Sequence, residues 1–198
     1  EDVRAGQIVL RPGTRLRPQE IGLAAALGRS SLPVFERLRV AILSTGDEIV
    51  EPGGDLATGA VFDANRHILR ALLQSLPVEV TDLGIVRDDA TGVRTALQAA
   101  SRAHHVVLTS GGASHGDEDH VVRSVQALGR IDFWQIAMKP GRPLAFGRLG
   151  QTVFIGLPGN PVAAMVGFLL FAAPVLRRLG GGIWRRPLGM PLPAAFAL

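Results

Sequence analysis

Short apolar runs alternate with stretches of helical periodicity along most of the chain. Residues 40–44 (VAILS) form an apolar run without alternation, which is typical of a strand buried on both faces of a parallel sheet. In residues 64–76, the apolar side chains around Leu69 and Leu73 follow the spacing of a helix. The same patterns predict strands at 78–86, 106–109, 133–138, 144–146 and 153–155, and helices at 91–102, 118–128 and 161–179.

This alternation of strands and helices predicts an α/β fold. We expect a doubly wound, mostly parallel sheet with helices on both faces in a three-layer arrangement. Thr91 is a candidate N-cap for the helix at 91–102. The α/β unit is placed at residues 37–182.

The two ends of the chain follow other patterns. Residues 1–36 predict a small α+β segment, with a short β-element around the Pro-Gly turn of residues 6–16 and a helix at 18–28. Pro18 suits the first turn of that helix. Residues 183–198 read as the beginning of a further element or as a tail.

Composition excludes several classes of protein. With 198 residues and 47% hydrophobic content, the chain suits one domain with appendages. The absence of cysteine rules out disulfides and thiolate metal sites and fits a cytoplasmic protein. A net charge of +4 with few aromatic residues argues against nucleic-acid binding. We expect no membrane segment, because the best apolar run, residues 162–176, is short and contains Pro174.

Polar motifs follow the predicted strands in turn. Because open α/β sheets bind ligands beyond the carboxyl ends of their strands, we expect these loops to meet at one rim of the sheet. The loops are TGDE (45–48), DD (88–89), the segment TSGGASHGDED (109–119), KPGRP (139–143) and LPGNP (157–161).

The segment 109–119 carries the strongest local signal. Its Gly-Gly pair and hydroxyls allow backbone N–H groups to converge on an anion, and the following helix adds its positive end. Asp117, Glu118 and Asp119 add carboxylates, which predicts a phosphorylated ligand together with a divalent metal. The alternative is a surface turn in which Asp serves as an ordinary helix cap.

Lys139 is the sole lysine of the chain, which has 21 basic residues in all. An ammonium is a compact point charge that guanidinium does not imitate. Its position before Pro140 predicts an extended backbone that holds the side chain in place. We therefore expect Lys139 to contact an oxyanion of the ligand.

Taken together, the motifs STGDE, DAN, DD, TSGGASHGDED, MKPGRP and GLPGNPVAA resemble those of the molybdopterin molybdenumtransferases, the MoeA family, which includes gephyrin's E domain. The combination of GLPGNP with KPGRP is specific, and there is no Walker A sequence. Family members bind adenylylated molybdopterin, hydrolyse it in the presence of molybdate, and release AMP and molybdenum cofactor. The resemblance implies that residues 1–36 end the family's first domain, 37–182 form its MogA-like domain, and 183–198 start another.

The resemblance also implies roles for single residues. The expected catalytic residues are Glu48, Asp88, Asp119 and Lys139. The expected ligands of Mg²⁺ are Asp88, Asp117 and Asp119. The remaining positions expected to bind the molybdopterin ligand are Thr45, Gly46, Asp47, Ser110, Gly111, Gly112, Ser114, Arg142, Pro143, Pro158, Asn160 and Pro161.

Two alternatives remain open beside this function. The chain could be a MogA-type adenylyltransferase, which makes the same adenylylated intermediate, or a non-catalytic binding or scaffold module. Family members dimerise through their first and third domains, and the apolar helix at 161–179 has more hydrophobic surface than one sheet face needs. The resemblance therefore implies a homodimer.

Overall fold

The computed structural model describes residues 3–111, 119–139, 141–185, 188–190 and 193. The described chain forms the strands β1 (Leu38–Thr45), β2 (Ile49–Val50), β3 (Val61–Phe62), β4 (Val78–Val86), β5 (Val106–Ser110), β6 (Arg130–Gln135), β7 (Pro143–Leu149) and β8 (Thr152–Leu157). Its helices are α1 (Pro18–Ala26), α2 (Ala64–Leu73), α3 (Ala90–Ala103), α4 (His120–Leu128), α5 (Pro161–Gly167) and α6 (Ala173–Leu179). A π-helical turn, Phe168–Ala172, joins α5 to α6.

Six strands form one sheet in the order β4-β1-β5-β8-β7-β6. The neighbours β4, β1, β5 and β8 are parallel, whereas β7 is antiparallel to both β8 and β6. The chain starts near the centre of the sheet at β1, adds β4 on one side, and then adds β5 and the later strands on the other side. This change of direction is the signature of a doubly wound sheet. The predicted fold class, α/β and mostly parallel, is confirmed.

The two faces of the sheet support separate apolar cores. On one face, Val40, Ile42 and Leu108 pack with α2 and with the helices α5 and α6. On the other face, Leu43 and Phe154 pack with α3 and α4. Because the central strands are covered on both sides, their sequences are apolar without alternation, as the pattern of residues 40–44 predicted.

The N-terminal segment agrees with only part of its prediction. Helix α1 begins at Pro18, as expected, and Gly28 follows it with φ +74°. The Pro-Gly turn also forms, because the N–H of Thr14 bonds to the carbonyl of Arg11 at 3.1 Å. The predicted β-element is wrong, since none of the described residues before α1 belongs to a strand. A strand needs a paired neighbour, and none of the described strands of the chain pairs with this segment.

Several predicted boundaries move by a few residues. The strand predicted at 133–138 is β6, which starts at Arg130 because Arg130 pairs with Arg148 of β7 and ends at Gln135 opposite Pro143. Helix α2 ends at Leu73 rather than at residue 76. The pair β2–β3 is a small parallel sheet of two strands that the sequence pattern did not indicate.

The helix predicted at 161–179 is present but interrupted by the π-helical turn. Pro174 has no N–H and crowds the preceding turn, and the N–H of Ala173 bonds to the carbonyl of Phe168, one residue further back than in an α-helix. Among the described helices, Pro161–Leu179 is long and apolar enough to cross a membrane. The core helix of a soluble protein passes the same test, and one side of this helix packs against the sheet.

Candidate functional site

The carboxyl ends of the parallel strands lie at one rim of the sheet. In the register of the sheet, Ser44 pairs with Ser110, Ser110 pairs with Leu157, and Thr45 pairs with Val86. Because β6 and β8 are both antiparallel to β7, the loop after β6 reaches the same rim. The strand order therefore brings the predicted loops together, as expected. Gly112, Ser114 and Asp117 lie outside the described residues.

Four hydroxyl groups are buried where β1 and β5 end. Their residues are 0–3% exposed, and their oxygens have no hydrogen-bond partner among the described residues. They belong to Ser44, Thr45, Thr109 and Ser110. A buried hydroxyl without a partner costs about 1–3 kcal/mol, so such a group calls for a water or ligand partner. Thr45 and Ser110 were predicted binding residues, whereas Ser44 and Thr109 were missed, although each is the first residue of a motif, STGDE and TSGGASHGDED.

Two glycines are required by the backbone at this rim. Gly111 has φ +84°, and a Cβ there would lie 2.5 Å from the carbonyl oxygen of Thr45. Its N–H donates to the carbonyl of Leu157 at 3.2 Å, and the expected role of Gly111 in binding the ligand stays a prediction. Gly46 has φ +148°, and a Cβ there would meet the Glu48 carboxylate at 2.9 Å. Both residues allow chain segments to approach closely.

An acidic cluster joins the loops after β1 and β4. The backbone N–H of Asp88 donates to Oδ1 of Asp47 at 3.3 Å. Oδ1 of Asp88 is buried and has no hydrogen-bond partner among the described residues. Burial raises the pKa of Asp88, the carboxylates of Asp47, Glu48 and Asp89 raise it further, and His120 acts in the opposite direction. Asp88 is therefore held among like charges, an arrangement that a bound cation would relieve.

Two of the acidic side chains are helix caps. Oδ1 of Asp89 accepts from the N–H groups of Thr91 and Gly92, so Asp89 rather than Thr91 caps α3. Oδ1 of Asp119 accepts from Val121 and Val122, each at 3.0 Å, and caps α4. The capping alternative therefore holds for Asp119, and its role toward a metal stays a prediction. Within the described part of the chain, no three acidic or histidine side chains are grouped closely enough to hold a metal ion.

The loop of residues 157–161 leads into α5 as a rigid turn. Oδ1 of Asn160 accepts from the N–H of Ala163 at 3.0 Å, and Pro161 occupies the first turn of the helix. Pro158, within this loop, is buried. Nδ2 of Asn65, in the first turn of α2, donates to the carbonyl of Gly159 at 2.7 Å. Asn160 and Pro161 therefore act on the backbone in this structure, as capping and first-turn chemistry predict.

The loop between β6 and β7 presents the cationic side chains. The N–H of Ile136 donates to the carbonyl of Arg142 at 2.9 Å and closes the loop, and Pro143 begins β7. Lys139 and Arg142 are both exposed to solvent. Lys139 lies in the loop beyond the end of β6 rather than directly after a strand. Both cations are accessible to an anionic ligand.

A second charged cluster lies beside the rim and was missed in the sequence. Arg66 of α2 is 5% exposed. Its guanidinium donates to Asp63 at 2.9 Å, to both carboxylate oxygens of Asp82 at 2.7 Å, and to Glu51. Burial lowers the pKa of Arg66, but the hydrogen bonds with Asp82, Asp63 and Glu51 outweigh it and raise the pKa above its ordinary value. Since every donor nitrogen meets a carboxylate, this cluster is structural.

Comparison with known proteins places the chain in a family. Residues 41–178 match the family model described as "Probable molybdopterin binding domain". Since this match covers more than half of the chain, the protein belongs to that family.

Curated relatives agree with the resemblance seen in the motifs. The chain is 42% identical over 188 residues to a molybdopterin molybdenumtransferase of Haemophilus influenzae, covering 94% of this chain and 46% of the relative. It is 38% identical over 182 residues to a molybdopterin molybdenumtransferase of Nostoc, covering 90% and 42%. The resemblance to this family is therefore confirmed. The chain spans about half the length of the curated relatives it matches.

Solved structures agree with the fold. The molybdopterin biosynthesis MoeA protein from Pyrococcus horikoshii superposes with a TM-score of 0.76 at 29% identity, covering 92% of this chain and 44% of that chain. The enzyme MoaB from Thermus thermophilus gives a TM-score of 0.55 at 21% identity, covering 73% and 96%. At that identity, the second likeness shows the fold alone.

Proposed function

We propose that this chain binds adenylylated molybdopterin at the rim and serves molybdenum cofactor biosynthesis. In that reaction water cleaves the phosphoanhydride, AMP is released, and molybdenum from molybdate is inserted into the dithiolene. The observation that carries the proposal is the convergence of the family's motifs on one rim that has unpartnered buried hydroxyls and a crowded carboxylate. The relatives named molybdopterin molybdenumtransferase support it. The absence of cysteine fits a cytoplasmic location.

In this function Asp88 would bind Mg²⁺ together with the phosphates of the ligand, since Mg²⁺ needs only one or two protein carboxylates. Carboxylate oxygens are the ligands that Mg²⁺ prefers, and Asp88 offers a buried oxygen without a partner among the described residues. When bound, the cation would neutralise charge on the phosphoanhydride that is cleaved. Glu48 and Asp47 lie in the loop next to Asp88 and would complete this side of the site together with Asp119.

The remaining residues would bind the rest of the ligand. The hydroxyls of Thr45 and Ser110 would donate to phosphate oxygens, which would supply the partners that they lack among the described residues. Lys139 and Arg142, both exposed on the neighbouring loop, would face an oxyanion, whether molybdate or the departing phosphate. The positive side of the site therefore lies in the loop after β6, and the acidic side lies in the loops after β1 and β4.

An AMP-release assay tests this function. The 198-residue chain is incubated with adenylylated molybdopterin, molybdate and Mg²⁺, and AMP is measured. Release that requires both molybdate and the protein supports a transferase. Because the chain covers about half of its relatives, binding is measured in parallel by calorimetry. Binding without AMP release identifies a binding module that needs the rest of the enzyme, and absence of binding contradicts the proposal.

We further propose that the protein is a homodimer. The outer side of the helix Pro161–Leu179 exposes Val162, Leu169 and Leu170 at 50–57%. Beside it, an apolar groove of about 630 Å³ runs between the stacked rings of Phe133 and Phe146 and the end of the helix. Exposed apolar surface of this kind favours association. Light scattering at micromolar concentration should show twice the mass of the 21.0 kDa chain, and a monomer alone would contradict the proposal.

A further inference from the structure

The carboxamide of Asn65 joins two elements at the rim. Asn65 lies in the first turn of α2 and is 8% exposed. Its Nδ2 donates to the carbonyl of Gly159 at 2.7 Å, across 94 residues of sequence. The amide is therefore held between α2 and the loop that begins α5.

This hydrogen bond fixes the orientation of the amide. The carbonyl of Gly159 can only accept, so the nitrogen of Asn65 must face it. The opposite atom, Oδ1, is buried and has no hydrogen-bond partner among the described residues. An unpartnered buried acceptor costs about 1–3 kcal/mol, which a donor from a ligand would recover.

The sheet face that packs against α2 is polar where β1 and β5 end. Ser44 and Ser110 continue the alternation of Ile42 and Leu108, so they lie on the sheet face that packs against α2 and α5. Both hydroxyls are buried, and neither has a partner within the described chain. Three buried polar groups without partners among the described residues therefore occur on the side of the sheet that packs against α2 and α5.

We propose that Asn65 is a ligand-binding residue whose Oδ1 accepts a hydrogen bond from a neutral N–H or O–H group of the bound ligand. An acceptor oxygen repels phosphate or molybdate oxygens, so Asn65 does not belong to the oxyanion part of the site. The inference rests on the proposed function, in which the ligand has two portions with such donors. These are the pterin, with its amino and ring N–H groups, and the adenosine, with its amino and ribose hydroxyl groups.

Calorimetric titration with three probes tests the inference. The probes are AMP, a phosphate-free pterin, and molybdate, which has no proton to donate at neutral pH. Asn65→Ala should lose about tenfold in affinity for at least one donor-bearing probe and keep its molybdate affinity within about twofold. The affected probe identifies which portion of the ligand Asn65 contacts. Gln74→Ala, at the exposed end of the same helix, is the matched control and should bind all three probes as wild type does.

Other outcomes overturn the inference. Equal weakening of all three probes would show a purely structural role for the contact with Gly159, and unchanged binding of the donor-bearing probes would show that Asn65 does not contact them. A wild-type chain that binds none of the probes would contradict the proposed function itself. If Asn65→Ala does not fold, Asn65→Ser, which the first turn of a helix tolerates, is titrated with the same expected pattern.

Discussion

Two charged clusters flank β4, and they differ in how their charges are satisfied. Around Arg66, one buried cation meets the carboxylates of Asp63, Asp82 and Glu51. Around Asp88, burial raises the pKa of its carboxyl group, and the carboxylates of Asp47, Glu48 and Asp89 raise it further. The first cluster is complete within the protein. The second holds several like charges close together, which supports the proposed binding of a cation there.

Removing the cation of the complete cluster should have the largest effect. Arg66→Ala leaves the carboxylates of Asp63, which is buried, and Asp82, which is 22% exposed, without the guanidinium that binds both. We therefore expect a loss of about 3–5 kcal/mol in the free energy of unfolding. Urea denaturation followed by circular dichroism measures it. Arg70→Ala is the control, because Arg70 is 57% exposed and lies 3.9 Å from Asp82. A loss for Arg66→Ala no greater than for the control would contradict a structural cluster.

The acidic cluster should respond in binding rather than in stability. Asparagine caps helices as well as aspartate does, so Asp119→Asn should keep α4 and the overall stability. If Asp119 shares a cation with Asp88, Mg²⁺-dependent binding of adenylylated molybdopterin should weaken by about 1–3 kcal/mol. Calorimetry with and without Mg²⁺ measures this difference. An unchanged Mg²⁺ dependence would leave Asp119 with the role of a cap only.

Neutralising the crowded carboxylate should stabilise the fold. The raised pKa of Asp88 means that its ionisation disfavours the folded state, so wild type loses this stability as pH rises through the folded-state pKa. Asp88→Asn should therefore be more stable at neutral pH by roughly 0.5–2 kcal/mol, with the gain vanishing in acid. Thermal unfolding across pH checks this. Asp89→Asn, which keeps the cap of α3, should show a smaller gain, because it removes only one of the charges that raise the pKa of Asp88.

The smallest effect is expected at the exposed cation. Lys139→Ala should weaken binding of AMP or molybdate by about two- to fivefold, the range of an exposed charge pair, and wild-type affinity should fall with added salt. Lys139→Arg should restore binding only in part, because the guanidinium differs in size and hydration. Calorimetric titration of the wild type, Lys139→Ala and Lys139→Arg at two salt concentrations measures these affinities. If Lys139→Ala binds AMP and molybdate with the affinity of the wild type, Lys139 does not contact the ligand.

The rim could be predicted from the sequence because the prediction needs only the order of the strands and the loops that follow them. Buried parallel strands have a strong apolar signal, and the rule that ligands bind at their carboxyl ends then places Asp47, Asp88 and Ser110 at one rim. A helix start could also be predicted where a single residue determines it, as Pro18 does in the first turn of α1. The prediction of a β-element before α1 was wrong because the pairing of strands depends on residues far away in the sequence.

What the sequence could not show were the roles that depend on partners far along the chain. Arg66 looks like any arginine on an amphipathic helix until Asp82 and Glu51 lie beside it. The role of Asn65 depends on Gly159, and the N–H of Gly111 is engaged by Leu157. Asp89 rather than Thr91 caps α3, because two neighbouring candidates cannot be separated without the backbone angles.

The bond from Asn65 to Gly159 joins parts of the chain that are 94 residues apart, and such separations affect the order of folding. β1, β5 and β8 are neighbours in the sheet, yet long stretches of chain separate them. Closing such loops costs entropy before the contacts form, so parallel sheets with distant partners fold slowly. A chain emerging from the ribosome therefore cannot complete this rim before β8 and the start of α5 have been synthesised. We therefore expect the proposed ligand to bind only after this part of the chain has been synthesised.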